Sequence, residues 1–263
     1  MTEAQYRAHP AINISALKAF RRSPLHAKHG FEEEHDASAA MKIGSLLDHR
    51  ILGTEYLWTT SPYDDFRSKE AKAWRDDQDH RGVTVFKQDE IEQVDGMVAA
   101  VRAHPVAARL FSKGSAQRTL IASYESPGGK TCDRKCMVDW VPETGNVLVD
   151  LKKTRNASPF GFGRQIMDLS YHAQAAYYLD IWKQTFLEAQ SRGWIWVCVE
   201  DVKPYAVAVY TASPEMLDHG DKLWRSWINQ WLECCDMDSW PGYNGDDITE
   251  IKLPSWAAKE AGL

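Results

Sequence analysis

Asp139, Asp150 and Lys152 carry the most distinctive chemistry in this chain. They fall within KCMVDWVPETGNVLVDLKKTRNASP, which begins at Lys135. Carboxylates are hard oxygen donors suited to magnesium or manganese. A close pair repels and shifts its pKa values, so a divalent cation is its natural third party. A neighbouring lysine can orient, or help deprotonate, a water that attacks phosphorus. The competing reading is an acid and a lysine at alternate positions on an exposed strand.

The elements that must position these groups can be read around them. Val147 to Lys152 is β-branched and apolar, and the turn residues Pro142-Glu143-Thr144-Gly145 precede it. Side chains alternate faces in a strand, so Asp150 and Lys152 point one way and Leu151 the other. The preceding strand is expected to end at Asp139. A short turn makes the two strands an antiparallel hairpin and can bring Asp139 near Asp150. A helix is expected over 164–191, with Gln174 and Tyr178 four apart on one face. Tyr171 and Ile181 extend that stripe toward the sheet. For Tyr178 core packing is the alternative role.

This arrangement resembles the PD-(D/E)XK nuclease superfamily, with Val138-Asp139 in place of Pro-Asp and Asp150-Leu151-Lys152 as the D-x-K element. Gln174 and Tyr178 match the Q-x-x-x-Y helix of its RecB-like branch. More narrowly, the chain resembles the RecE-like (exonuclease VIII) phage and prophage exonucleases over nearly its full length. The matching stretches are YRAHPAINISALKAFRRSPLH, IGSLLDHRILGTEYL, MVAAVRAHP, VDLKKTRNASPFGFGRQI, YHAQAAYYLD, VEDVKPYAVAVY and WPGY.

The resemblance implies an α/β nuclease core, a central mixed β-sheet flanked by helices, and Mg²⁺-dependent hydrolysis of DNA, with Mn²⁺ able to substitute. Asp139, Asp150, Asp48 and the Leu151 carbonyl would hold the metal. Lys152, with Gln174 and Tyr178 beside it, would serve the attacking water. In the family a histidine four residues after a glycine supplies a further ligand. Counting from Gly44 that position is Asp48, and His49 lies one step on, about 100° around a helix. Relatives often carry glutamate where Gln117 stands. The resemblance also implies 5′ to 3′ digestion of linear double-stranded DNA, a 3′ tail passed to a single-strand annealing protein, and a homo-oligomer, a tetrameric ring. Two other classes stay open: a structure-specific endonuclease, and a DNA-binding or assembly protein that does not cut.

Composition agrees with one enzyme domain over 1–263: a mainly helical part at 1–112, the catalytic sheet and Gln/Tyr helix at 113–211, and a helix and tail at 212–263. The net charge of -6 does not exclude DNA, since a local basic channel can engage phosphates. No apolar run approaches a membrane span, and no signal peptide is seen. The five cysteines lack metal-finger spacing and the arrangement an iron–sulfur cluster needs, and their odd number suits a reducing cytoplasm.

Around this centre, Ser15 is the expected N-cap of a first helix ending at Arg21-Arg22, whose charges suit a helix end. FEEEHDASAA reads as a polar loop, MKIGSLLDHRILG as a helix, GVTVF as a short strand and 88–111 as helix. The charged segment Arg67 to Arg81 lies, in RecE-like enzymes, near the point where DNA enters. Lys72 and Arg75 could follow its backbone and Trp74 could stack on a duplex end. A solvated surface helix explains the same pattern. Lys153 and Arg155 are further phosphate contacts to expect. WIWVCVE and YAVAVYTA complete the sheet. A helix over 213–235 carries Trp224, Trp227 and Trp231 on one face, as core or subunit contact. The tail holds a short strand-like piece.

Overall fold

The computed structural model describes residues 1, 3–32, 38–143, 146–186, 192–245, 247–254 and 257. The chain opens with α1 (Glu3–Ala8), α2 (Ile14–Leu17), a 3-10 turn over Lys18–Arg21, and α3 (Pro24–Glu32). Then come α4 (Ala39–Leu52), β1 (Trp58–Thr60), α5 (Lys69–His80), β2 (Thr84–Phe86), α6 (Gln88–Ala103) and α7 (Pro105–Leu110). The main sheet follows as β3 (Gly114–Glu125), β4 (Thr131–Pro142) and β5 (Val147–Thr154). After α8 (Pro159–Asp168) and α9 (Tyr171–Thr185), β6 (Gly193–Glu200) and β7 (Val207–Thr211) complete it, and α10 (Pro214–Met237) closes the core.

The strand order is β3-β4-β5-β6-β7. Within this sheet β5 and β6 run parallel, and the chain between them is the α8–α9 crossover that parallel neighbours require. The remaining neighbours are antiparallel. This is the mixed α/β sheet expected from the sequence, flanked by helices. Strands β5 and β6 are apolar on both sides because both faces are covered. Leu148, Trp194, Trp196 and Cys198 pack with α9 and α10, while Val149, Leu151, Val197 and Val199 pack with α4 and α6. Helix α10 lies close on α9, and a Cβ at Gly220 would meet the His172 carbonyl at 2.3 Å. The tryptophan face of α10 is core: Trp224 and Trp227 are buried and Trp231 packs against them. Trp224 also covers the buried guanidinium of Arg134, which is paired with Asp180 at 2.7 Å.

The feature that shapes the site is a fork between β4 and β5. The two strands pair at Trp140↔Val149 and then part. Asp139 accepts the Leu151 amide at 3.2 Å with its side chain. Further along β4, the segment at Ile12 takes the vacated edge. Its amide donates to the Asp133 carbonyl at 2.9 Å, and the Lys135 amide donates to the Ile12 carbonyl at 2.8 Å. The Lys135 ammonium then ties down the carbonyls of Tyr6, Arg7 and His9. At the same level the alternation of β3 and β4 slips by one. Leu120, Cys136 and Val138 face the α9 side, but Ala116 and Trp140 face the α6 side. The pairs Ala116↔Trp140 and Arg118↔Val138 bracket Gln117 and Asp139, and Gln117 has φ 47.

Several local expectations change. Strand β4 continues past Asp139 to Pro142. The first helix is capped by Asn13, not Ser15: the Asn13 side chain accepts the Ala16 amide at 2.9 Å, while Ser15 is exposed. The helix expected over 164–191 is two helices. Ser158 caps α8 and Pro159 starts it, so it begins ahead of residue 164. A left-handed Ser170 (φ 52) then separates it from α9. β1 was not anticipated. The described residues 247–254 of the tail form no strand. Residues 33–37 of the polar loop, turn residues Thr144 and Gly145, and most of the end of the tail lie outside the described residues.

Candidate active site

Strand β5 presents Asp150 and Lys152 on the face toward α9, as alternation requires. The Lys152 ammonium lies 2.6 Å from Asp150 Oδ1 and 4.0 Å from Asp139 Oδ2. Helix α9 lowers Gln174 onto the same oxygen, with Nε2 3.3 Å from Asp150 Oδ1. The other oxygen, Asp150 Oδ2, is buried and has no hydrogen-bond partner among the described residues. Leu151 turns its amide toward Asp139. In an extended strand a residue's N–H and C=O point to the same edge, so the Leu151 carbonyl also faces the fork.

The electrostatics follow from burial and crowding. Burial and the adjacent Asp150 carboxylate push the Asp139 carboxyl well above its ordinary value, Lys152 offsets part of this, and Asp48 adds to it. Burial alone would lower the Lys152 pKa, but Asp150, Asp139 and Tyr171 together raise it above 10.5. Lys152 is therefore an ammonium, a donor and not a base. Burial pushes the Tyr178 hydroxyl up, with Asp139 and Asp150 among its neighbours. Tyr178 is buried, edge-on to Trp194, so it is partly core.

The structure thus brings Asp139, Asp150, Lys152, Gln174 and the Leu151 main chain together, with Tyr178 behind them. On α4, the charge of Asp48 acts on Asp139. His49 is directed elsewhere: its Nδ1 meets the Thr54 carbonyl where α4 ends. Lys153 points to the opposite face from Lys152 and is paired with Asp201 at 2.9 Å. Arg155 is exposed just beyond β5. Lys72, Trp74 and Arg75 lie on α5, which packs against β2. Lys72 is exposed, the Trp74 ring stands edge-on to Tyr63, and Arg75 lies over Phe66. Gln117 and Asp139 lie between the pairs Ala116↔Trp140 and Arg118↔Val138, and Gln117 has a backbone conformation rare outside glycine.

Two participants escaped the sequence reading. Lys18 donates to Gln174 Oε1 at 3.0 Å, across 156 positions of sequence. Tyr171 lies under both Lys18 and Lys152, with the ammonium groups 5.3 and 5.2 Å from its ring centre. Its place on the Gln174 stripe was legible. Lys18 had only one clue, an ammonium set between the apolar residues Leu17 and Phe20.

Among the described residues no group of three or more His, Cys, Asp or Glu side chains stands close enough together to hold a metal ion. A hard divalent cation still fits the donors present. Two crowded carboxylates need positive charge, and the buried Asp150 Oδ2 lacks a donor. Among the described residues no helix is long and apolar enough to cross a membrane.

Comparison with solved structures adds to this geometry. The crystal structure of a candidate exonuclease from Eubacterium rectale is similar over 100% of this chain and 99% of its own, with a TM-score of 0.66 and 14% identity. At that identity the likeness is one of fold. A phage-related exonuclease from Haemophilus somnus 129PT aligns over 89% of this chain and 99% of its own, but with a TM-score of 0.34 and 9% identity it carries no argument. A comparison with curated proteins gives no significant match. The sequence matches the family described as a PDDEXK-like domain of unknown function (DUF3799) over residues 13–250. With the match covering nearly the whole chain, and with the two acids and the lysine gathered on the sheet, the protein belongs to this PDDEXK-like family.

Proposed function

We propose that the protein is a metal-dependent DNA exonuclease. The observation that carries this reading is the single ammonium of Lys152 shared between Asp150 and Asp139, beside an Asp150 oxygen without a partner. Asp139, Asp150 and the Leu151 carbonyl are the donors that would hold Mg²⁺ or Mn²⁺, with Asp48 contributing charge. Such an ion supplies Lewis-acid stabilisation of the phosphate and a water acidic enough to attack it. Lys152 remains protonated through the reaction and donates to the water or to a phosphate oxygen as negative charge develops. Gln174 holds the Asp150 carboxylate in place. Tyr171 keeps the lysine over the site through its ring face.

The substrate in this reading is linear double-stranded DNA, digested 5′ to 3′ to leave a 3′ single-stranded tail for a single-strand annealing protein. Action from a duplex end is supported by the fold shared with the Eubacterium rectale protein named as a candidate exonuclease. Assembly as a homo-oligomeric ring, a tetramer, belongs to the same proposal. Arg155 and the α5 residues Lys72, Trp74 and Arg75 are its candidate DNA contacts, while Lys153 is held by Asp201 on the other face.

A second reading has one observation in its favour. Gln117, an amide where relatives often carry glutamate, fits a DNA-binding protein that does not cut. Digestion of linear duplex labelled at the 5′ or 3′ end, with closed circles and EDTA as controls, separates the two. Early metal-dependent release of the 5′ label with circles spared is the expected result. Cutting of circles would make the protein an endonuclease. No cutting with either metal, together with retained DNA binding, would support the second reading.

A further inference from the structure

We propose that Lys18 is a positioning residue. Acting through Gln174, it sets which oxygen of Asp150 the protein holds and which it leaves to a cation. The inference rests on the metal-dependent reading above and deepens it.

The argument is one of donors and acceptors. An ammonium can only donate, so the Gln174 atom 3.0 Å from Lys18 Nζ must be the amide oxygen. That choice turns the Gln174 NH₂ toward Asp150 Oδ1, 3.3 Å away. Asp150 Oδ1 then receives two donors, Gln174 and Lys152, the latter at 2.6 Å. Asp150 Oδ2 receives none. Without a donor at position 18, the amide is free to rotate by half a turn. Held only by its NH₂, it would contact the carboxylate part of the time, and Asp150 would keep Lys152 as its one steady donor.

The surroundings hold Lys18 to this task. Its ammonium lies over the Tyr171 ring, which also carries Lys152. Burial, Lys152 and Arg21 lower its pKa to about 7, while Asp150 opposes them. The neutral amine can accept as well as donate, so it is the ammonium form that fixes the direction of the amide. Residues outside the metal's own ligands that orient those ligands typically change affinity or activity by about 10–100-fold.

The test uses the full chain and a double-mutant cycle of Lys18→Met and Gln174→Ala, with Lys18→Arg as the conservative variant. Mn²⁺ binding is read by calorimetry and cleavage by release of end label. Lys18→Met is expected to weaken both about tenfold in the native background, and less than about twofold when Gln174 is already alanine. Lys18→Arg, which keeps a donor, should recover most of the loss. Side-chain amide NMR gives a readout free of metal and DNA. The Gln174 NH₂ should be protected from exchange in the native protein and in Lys18→Arg, and unprotected in Lys18→Met. An unchanged Gln174 amide in Lys18→Met overturns the proposal. So does an equal loss in both backgrounds, which would mean that Lys18 acts directly. A native protein that binds no Mn²⁺ and cuts nothing would sink the nuclease reading, while the amide spectrum would still report on Lys18.

Discussion

The ammonium of Lys152 and the carboxylate of Asp150 form a 2.6 Å contact that is almost entirely enclosed by the fold. A pair so enclosed is held in one orientation by its surroundings, as a reacting site requires. Replacing Lys152 with alanine should lower cleavage by about a hundredfold to a thousandfold, the range for removing one donor that meets developing negative charge. Duplex binding, followed by fluorescence anisotropy, should be largely kept. Cleavage at the native rate in that variant would remove Lys152 from the mechanism.

The repulsion between Asp139 and Asp150 should be visible in the resting protein. Mg²⁺ at about a hundred times its dissociation constant should add about 2.7 kcal/mol of stability. For a chain of this size that raises the melting temperature by on the order of 5 °C or more. Asp139→Asn should melt higher than the native protein in EDTA, because one buried like charge is gone. It should also lose most of the response to Mg²⁺. An Asp139→Asn variant that melts lower in EDTA and still responds to Mg²⁺ would contradict the proposed donor set.

His172 makes a pH prediction with a definite sign. It is buried at the start of α9, with Nε2 3.0 Å from His219 Nδ1 and its own Nδ1 3.3 Å from the Ile166 carbonyl. Burial lowers its pKa below 6.5. The Ile166 carbonyl opposes this, and His219, Arg21 and Lys18 add to the lowering. The unfolded chain therefore takes up this proton at a higher pH than the folded one. Stability should fall as pH drops through about 6.5 toward the lower folded value. His172→Gln should flatten that part of the melting profile. A profile with the same slope in both proteins would place the effect elsewhere.

Trp224 is fully buried against Tyr124, Tyr177 and the Arg134 guanidinium. Trp224→Ala should cost about 3–5 kcal/mol, the usual range for emptying such a site. Urea denaturation would measure it. A loss under about 1 kcal/mol would mean that α10 collapses into the space.

Much of this fold and site was legible because its information is local. The alternation of Asp150 and Lys152, the apolar runs of β5 and β6 and the four-residue step from Gln174 to Tyr178 all lie within single elements. What could not be read is contact between distant segments. Lys18 meets Gln174 only because α2 and its following turn pack against α9. Lys153 looked equivalent to its neighbour in sequence, yet the strand turns it to the other face and onto Asp201. Ser15 was the expected cap, yet Asn13 takes the role. The choice depended on where Ile14 and Leu17 had to point to be buried. The break at Ser170 was hidden because nothing in DLSYH marks a left-handed residue, and the Arg21 contact that secures its hydroxyl comes from another helix.

The fork between β4 and β5 places the first residues of the chain in an unexpected role. Ile12 occupies main-chain partners on β4 that a neighbouring strand would otherwise claim, and Lys135 anchors the turns before it. These residues act as a doorstop in the sheet. A chain trimmed of its first twelve residues would still own its acids and its lysine. The two strands would then be free to zip together toward Thr154, closing the opening that exposes Asp139 to a substrate. Such a chain would also lose Ile12 from the core and the carbonyls that hold Lys135, so the start of the chain ties stability and access to the site together.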